Sequence, residues 1–178
     1  MKKLLITVVL ALMPSLFFAQ SAFDKYDGLN EVTAVIVNKK MFELMGSVKS
    51  KDKDSQQYME LIKKLDNLKV FVTSSPKITL DMKSTSNKYL KTAALEELMR
   101  INDKGKNIKI YVKSGSTSST VKELLMFIEG GTSKDDETVL MSLKGNFDLN
   151  DISILTDNMN LPGGDALKKG TKGAKVPK

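Results

Sequence analysis

An α+β domain built mainly on an antiparallel sheet is the fold class this sequence predicts, and three observations point to it. Two β-branched runs, 31–37 and 68–73, alternate with stretches whose apolar residues recur at helical spacing. From 95 to 144, four strand-like segments follow one another with turn signals between them. Asp148 then stands as a natural N-cap before a last apolar stretch that reads as a helix. An antiparallel sheet with its helices gathered on one face is the economical packing for that order, in a single domain over 20–160.

The elements follow in order. Residues 23–26 form a short helical turn that packs Phe23 and Tyr26, and 31–37 is the first strand. Met41, Phe42, Leu44 and Met45 make a helical stripe over 39–45. After the polar interruption 50–55 the helix resumes, with Tyr58, Leu61, Ile62 and Leu65 on its buried face. Residues 68–73 are the second strand. Pro76 suits a helix start, and Ile78, Met82, Tyr89 and Leu90 carry that helix to about Lys91. Propensity could prolong it through 94–101, but Asp103-Lys-Gly-Lys is a hairpin signal leading into the alternating run 107–113, so 95–102 reads as a strand. Two more strands, 121–129 and 137–144, flank the turn-rich 130–136. The last helix, from Asp148 to Asn158, turns Leu149, Ile152 and Leu155 inward.

The N-terminus indicates where the protein works. Lys2 and Lys3, the apolar run 4–18 and small Ala19 make the three parts of a secretory signal peptide over 1–19, cleaved near Ala19/Gln20. The run is shorter than the ~20 residues of a spanning helix, so no membrane span is expected after processing. Without cysteine there is no lipobox thioether and no disulfide. The expectation is an exported, soluble protein of the periplasm or exterior, not a lipoprotein, with no nucleic-acid partner. Roughly 140 folded residues suffice for one proper core.

The net charge of +7 is unevenly spread. Residues 20–161 hold 21 bases against 20 acids, whereas 162–178 hold Lys168, Lys169, Lys172, Lys175 and Lys178 against Asp165 alone. Rich in Gly, Pro and Lys, the segment 161–178 is expected to be a disordered tail. Its five lysines could make weak contact with an anionic surface, although a purely solubilising terminus is the commoner meaning of such tails.

Composition excludes much chemistry. The absence of histidine rules out Ser-His-Asp and Cys-His catalysis and histidine-zinc sites, and the absence of cysteine rules out thiolate nucleophiles and iron–sulfur clusters. Ser-x-x-Lys spacings occur at Ser50/Lys53, Ser74/Lys77 and Ser119/Lys122, but none is accompanied by the further elements that give the motif weight. Asp135, Asp136 and Glu137 read as a solvated turn. Asp148, Asn150 and Asp151 begin like a calcium loop, yet Ser153 and Met159 occupy its glycine and glutamate positions. Met41, Met45, Met59, Met82, Met99, Met126 and Met141 could suggest thioether copper ligands, but most lie on apolar faces and read as core filling. No catalytic, cofactor or metal residue is therefore assigned.

Taken together, the segments 23–26, 40–44, 68–73, 96–100, 121–126 and 145–149 resemble, in order and spacing, the exported family of Bacteroidetes-type bacteria known as domain of unknown function 4252. The resemblance spans about 23–155. It implies a one-domain envelope protein associated with gene neighbourhoods of extracytoplasmic sigma factors, and it carries over no functional residue. Some relatives are lipoproteins, whereas this chain lacks the lipobox cysteine. The expected function is a non-catalytic binding or interaction module of the bacterial cell envelope, linked to envelope regulation or stress response, with an edge strand of the meander open to a partner strand. The partner would be an envelope protein or ligand. The alternative is a cell-wall or polysaccharide hydrolase using carboxylates or a Ser-Lys dyad.

Overall fold

The computed structural model describes residues 22–48, 51–103, 105–130, 136–159, 162–165 and 167. The expected signal peptide 1–19 and the five tail lysines lie outside the described residues. After a 3-10 turn at Asp24–Tyr26 come β1 (Thr33–Asn38), α1 (Lys39–Gly46), α2 (Lys53–Ile62), β2 (Leu65–Thr73) and α3 (Pro76–Ala93). The meander β3 (Glu96–Asp103), β4 (Lys106–Ser114), β5 (Thr120–Glu129) and β6 (Thr138–Asp148) follows, and a 3-10 turn at Leu149–Asp151 leads into α4 (Ile152–Met159). All six strands join one antiparallel sheet in the order β1-β2-β6-β5-β4-β3. The α+β class, the antiparallel sheet and the four-strand meander are as the sequence predicts.

Strand alternation sorts the side chains onto two faces. On the first face one row runs Val35, Val70, Met141, Met126 and Ile110 from strand to strand. Phe42 of α1, Leu61 and Ile62 of α2, and Ile152 and Leu155 of α4 pack on this face. The second face carries Phe71, Leu140, Leu125 and Phe127, covered by Met82 and Tyr89 of α3 and by Phe23 and Tyr26 of the N-terminal turn. Ring pairs tie that turn down, with Phe23 and Tyr89 centroids 5.0 Å apart and those of Tyr26 and Phe71 5.7 Å apart.

One helix therefore departs from the expected gathering on a single face, since α3 lies opposite the other three. The cause is in β5, where Leu124, Leu125, Met126, Phe127 and Ile128 are buried without a break. A strand apolar on both sides needs a cover on both sides.

Local chemistry sets the boundaries. Asn38 caps α1 by accepting from the Met41 amide at 3.0 Å, and Asp52 caps α2 by accepting from the Ser55 amide at 2.9 Å. Leu65, expected on the helix, is instead the buried first residue of β2, with a register shift before Asn67. Ala94 stops α3 in the left-handed region at φ 52°, so the helix does not run on into 95–101. Gly105 takes φ 86° in the β3–β4 hairpin, as the turn signal requires. Packing continues beyond the expected boundary at 160, because Leu167 is buried in the first-face core and its amide donates to the Gly163 carbonyl at 3.3 Å.

Two substitutions test these features. Ala94→Gly relieves a left-handed Cβ and should raise stability by about 0.5–1 kcal/mol in chemical denaturation. At Gly145 an added Cβ would lie 2.4 Å from the Lys64 carbonyl oxygen and 2.8 Å from the Leu65 Cα. Gly145→Ala should therefore cost about 1–3 kcal/mol, read as a lower melting temperature.

Candidate functional site: a polar groove on the second face

The second face changes character along its strands. One row reads Ala34, Phe71, Leu140 and Phe127 across β1, β2, β6 and β5. Toward the other end of the sheet the row reads Asn38, Asn67, Lys144 and Glu123. Where the apolar rows stop, a groove of about 630 Å³ opens between these strands, the start of α1 and the N-terminal turn, with Tyr89 of α3 in its wall.

Three ammonium groups and three carboxylates are matched around this groove. Lys69, whose side chain is only 16% exposed, pairs with Asp24. Lys39 donates to Asp66 Oδ1 at 3.0 Å, and the hydrogen bond and charge of that carboxylate hold the Lys39 pKa above its ordinary value. Lys144 lies 3.7 Å from Glu123 Oε1, with its ammonium 5.5 Å from the Tyr89 ring centroid.

Glu123 is the unusual member, a carboxylate only 6% exposed. The Tyr89 hydroxyl donates to its Oε1 at 2.7 Å, and Lys144 supplies the opposite charge. Burial, reinforced by the hydrogen bond to Glu123 and its charge, pushes the Tyr89 phenol well above its ordinary pKa, so Tyr89 remains a neutral donor. Such a buried carboxylate persists only because it is paired and hydrogen-bonded.

The groove thus offers alternating donors and acceptors, with the Asn38 and Asn67 amides and the Ser142 hydroxyl between the charges and no large net charge. Its size falls within the ~300–1,000 Å³ of small-molecule sites. It suits a polar ligand that both donates and accepts hydrogen bonds.

The catalytic candidates are placed differently. The Ser119 hydroxyl donates to Asp148 Oδ2 at 2.6 Å, so its single proton is directed to a carboxylate rather than to the amine of Lys122. Ser74 and Lys77 are exposed, Lys53 is the first residue of α2, and Ser50 lies outside the described residues. Asp136 pairs with Lys106 at 3.5 Å and Glu137 is exposed, while Asp135 lies outside the described residues. Among the described residues no group of three or more acids could hold a metal ion. Met82, Met126 and Met141 are buried, Met45, Met59 and Met99 pack against the first-face core, and Met41 is exposed.

Asp148 acts as a cap. Its Oδ1 accepts from the Asn150 amide at 2.8 Å and from the Asn150 side chain at 2.7 Å. Burial would raise its pKa, but the hydrogen bonds from Ser119 and Asn150 outweigh burial and hold the carboxyl below the usual carboxylate range. Reading the sequence for catalytic motifs missed Lys39, Lys69, Lys144, Tyr89 and Glu123. The available signal was strand alternation, which puts Lys69, Lys144 and Glu123 on a face otherwise filled by Phe71, Leu140 and Phe127.

Asp148→Ala should lower stability by about 1 kcal/mol near neutral pH, with or without a calcium chelator. Because the folded-state pKa is depressed, the contribution is full above the ordinary Asp value of about 3.9 and is lost as pH falls through the depressed value. Denaturation curves of the two proteins should therefore converge in acid.

No helix among the described residues is long and apolar enough to cross a membrane. No curated protein and no solved structure matches this chain. Residues 26–155 match one family, described as Domain of unknown function (DUF4252), and this span contains all six strands, α1, α2, α3 and the groove apart from Ala22, Phe23 and Asp24. The chain therefore belongs to the DUF4252 family.

Proposed function

We propose that the protein is an exported, soluble, non-catalytic binding module of the bacterial cell envelope, working in the periplasm or outside the cell in envelope regulation or stress response. The observation that carries this reading is the groove, in which Lys39, Lys69 and Lys144 are each matched by a carboxylate and polar groups line a space of small-molecule size. A site with balanced charge and fixed donors and acceptors is built to hold a polar ligand. The leader-like residues 1–19 support export, and the absence of a lipobox cysteine supports a form without a lipid anchor. Weak contact of Lys168, Lys169, Lys172, Lys175 and Lys178 with anionic surfaces belongs to the same reading.

The full chain, expressed in a bacterium with its own leader, should be recovered from the envelope or medium with an N-terminus near Gln20. Immobilised, it should retain a component of envelope extract that the Lys69→Ala/Lys144→Ala variant does not. Full-length protein confined to the cytoplasm would overturn export. Equal retention by the two proteins would overturn the groove, and release of soluble fragments from purified cell wall would favour a hydrolase.

A further inference from the structure

The sheet has two outer strands, and they are chemically opposite. β3 carries Glu96, Glu97 and Arg100, closes an Arg100–Glu97 ion pair at 2.8 Å, and shifts register between Glu97 and Met99. Charges and bulges of this kind blunt an edge against another strand. β1 has none of these devices. Thr33-Ala-Val-Ile-Val-Asn38 contains no charge and no proline, and it pairs with β2 through six residues without a register shift. Val35 is 38% exposed and Ile36 42% exposed, one on each face. Among the described residues β2 is its single strand neighbour. Of the two outer strands β3 is thus the protected one, and β1 the open one.

The flanks of β1 say what pairs with it. Asp27 and Glu31 precede the strand, Lys39 and Lys40 follow it, and all four are exposed. We propose that β1 is a self-association edge, on which a second copy of this chain adds its own β1 antiparallel about a twofold axis. Antiparallel pairing exchanges the two ends, so with Val35 opposite Val35 of the second copy, the flank that carries Glu31 meets the flank of the second copy that begins at Lys39, twice by symmetry. That register also keeps the faces of the two sheets in common, because residues an even number apart point the same way. The Lys39 side chain is 63% exposed beside Asp66, which leaves it open to a second carboxylate.

The apolar surface agrees. Phe42 anchors α1 to the first face, the face of Val35, while Met41 and Leu44 are exposed on the helix and Val48 is exposed just after it. In the pair both α1 helices lie on one face of the joined sheet, adding apolar surface beside the seam. Self-association does not depend on what the groove binds.

Sedimentation of the purified full chain over rising concentration tests the proposal. The wild type should be dimeric, and Val35→Lys should raise the dissociation constant roughly tenfold or more while the circular dichroism spectrum stays that of the folded wild type. Glu31→Lys, outside the strand and its packing, should also weaken the dimer, and adding Lys39→Glu to it should restore association. A wild type that stays monomeric throughout, or a dimer that neither Val35→Lys nor Glu31→Lys weakens, overturns the assignment.

Discussion

Strands β2, β5 and β6 bury side chains on both faces of the sheet, and that double burial dictates where every other element goes. Phe71, Leu140, Leu125 and Phe127 on one side are as thoroughly removed from water as Val70, Met141, Met126 and Ile128 on the other. Three helices supply one cover and α3 with the N-terminal turn the other. At roughly 1.5–3 kcal/mol for each large apolar side chain, leaving either face bare would forfeit more than the ~5–15 kcal/mol of a typical domain's stability. A disulfide-free chain of this size has no other reserve.

The groove lies where that demand lapses. α3 ends at Ala93, and beside its last turns the second face changes from phenyl rings to Asn67, Lys144 and Glu123. Charges there are set in pairs rather than left to solvent, and Glu123 is held by a phenol as well as an ammonium. A buried pair of this kind adds little to stability but fixes side-chain positions, as a binding surface requires.

Much of the fold was legible in the sequence for physical reasons. The hairpin at Gly105 was readable because a turn signal preceded a strict period of two, and the Asp148 cap because a short acidic side chain stood before an apolar stretch. The position of α3 was misjudged because order alone does not distinguish the faces of a sheet, although the unbroken apolar run at 124–128 carried the needed hint. Leu167 was hidden in a lysine-rich context, where one apolar residue makes no periodicity. The groove was illegible for a different reason. Lys39, Lys69 and Lys144 are far apart in the chain, and only the strand order β1-β2-β6 brings them together.

That same strand order divides the chain kinetically. Every neighbour in the meander is also a neighbour in sequence, so β3 to β6 can pair with short loops to close. The junction of β2 with β6 is different, because α3 and the rest of the meander lie between Thr73 and Thr138, and closing that loop costs entropy before it gains contacts. The costliest loop closure in the sheet thus falls at one seam, the pairing of Leu68, Val70 and Val72 with Leu143, Met141 and Val139, which is also what joins the two halves of the sheet. Until that seam closes, both halves expose faces that the finished protein buries, and the chain is at its most vulnerable to aggregation.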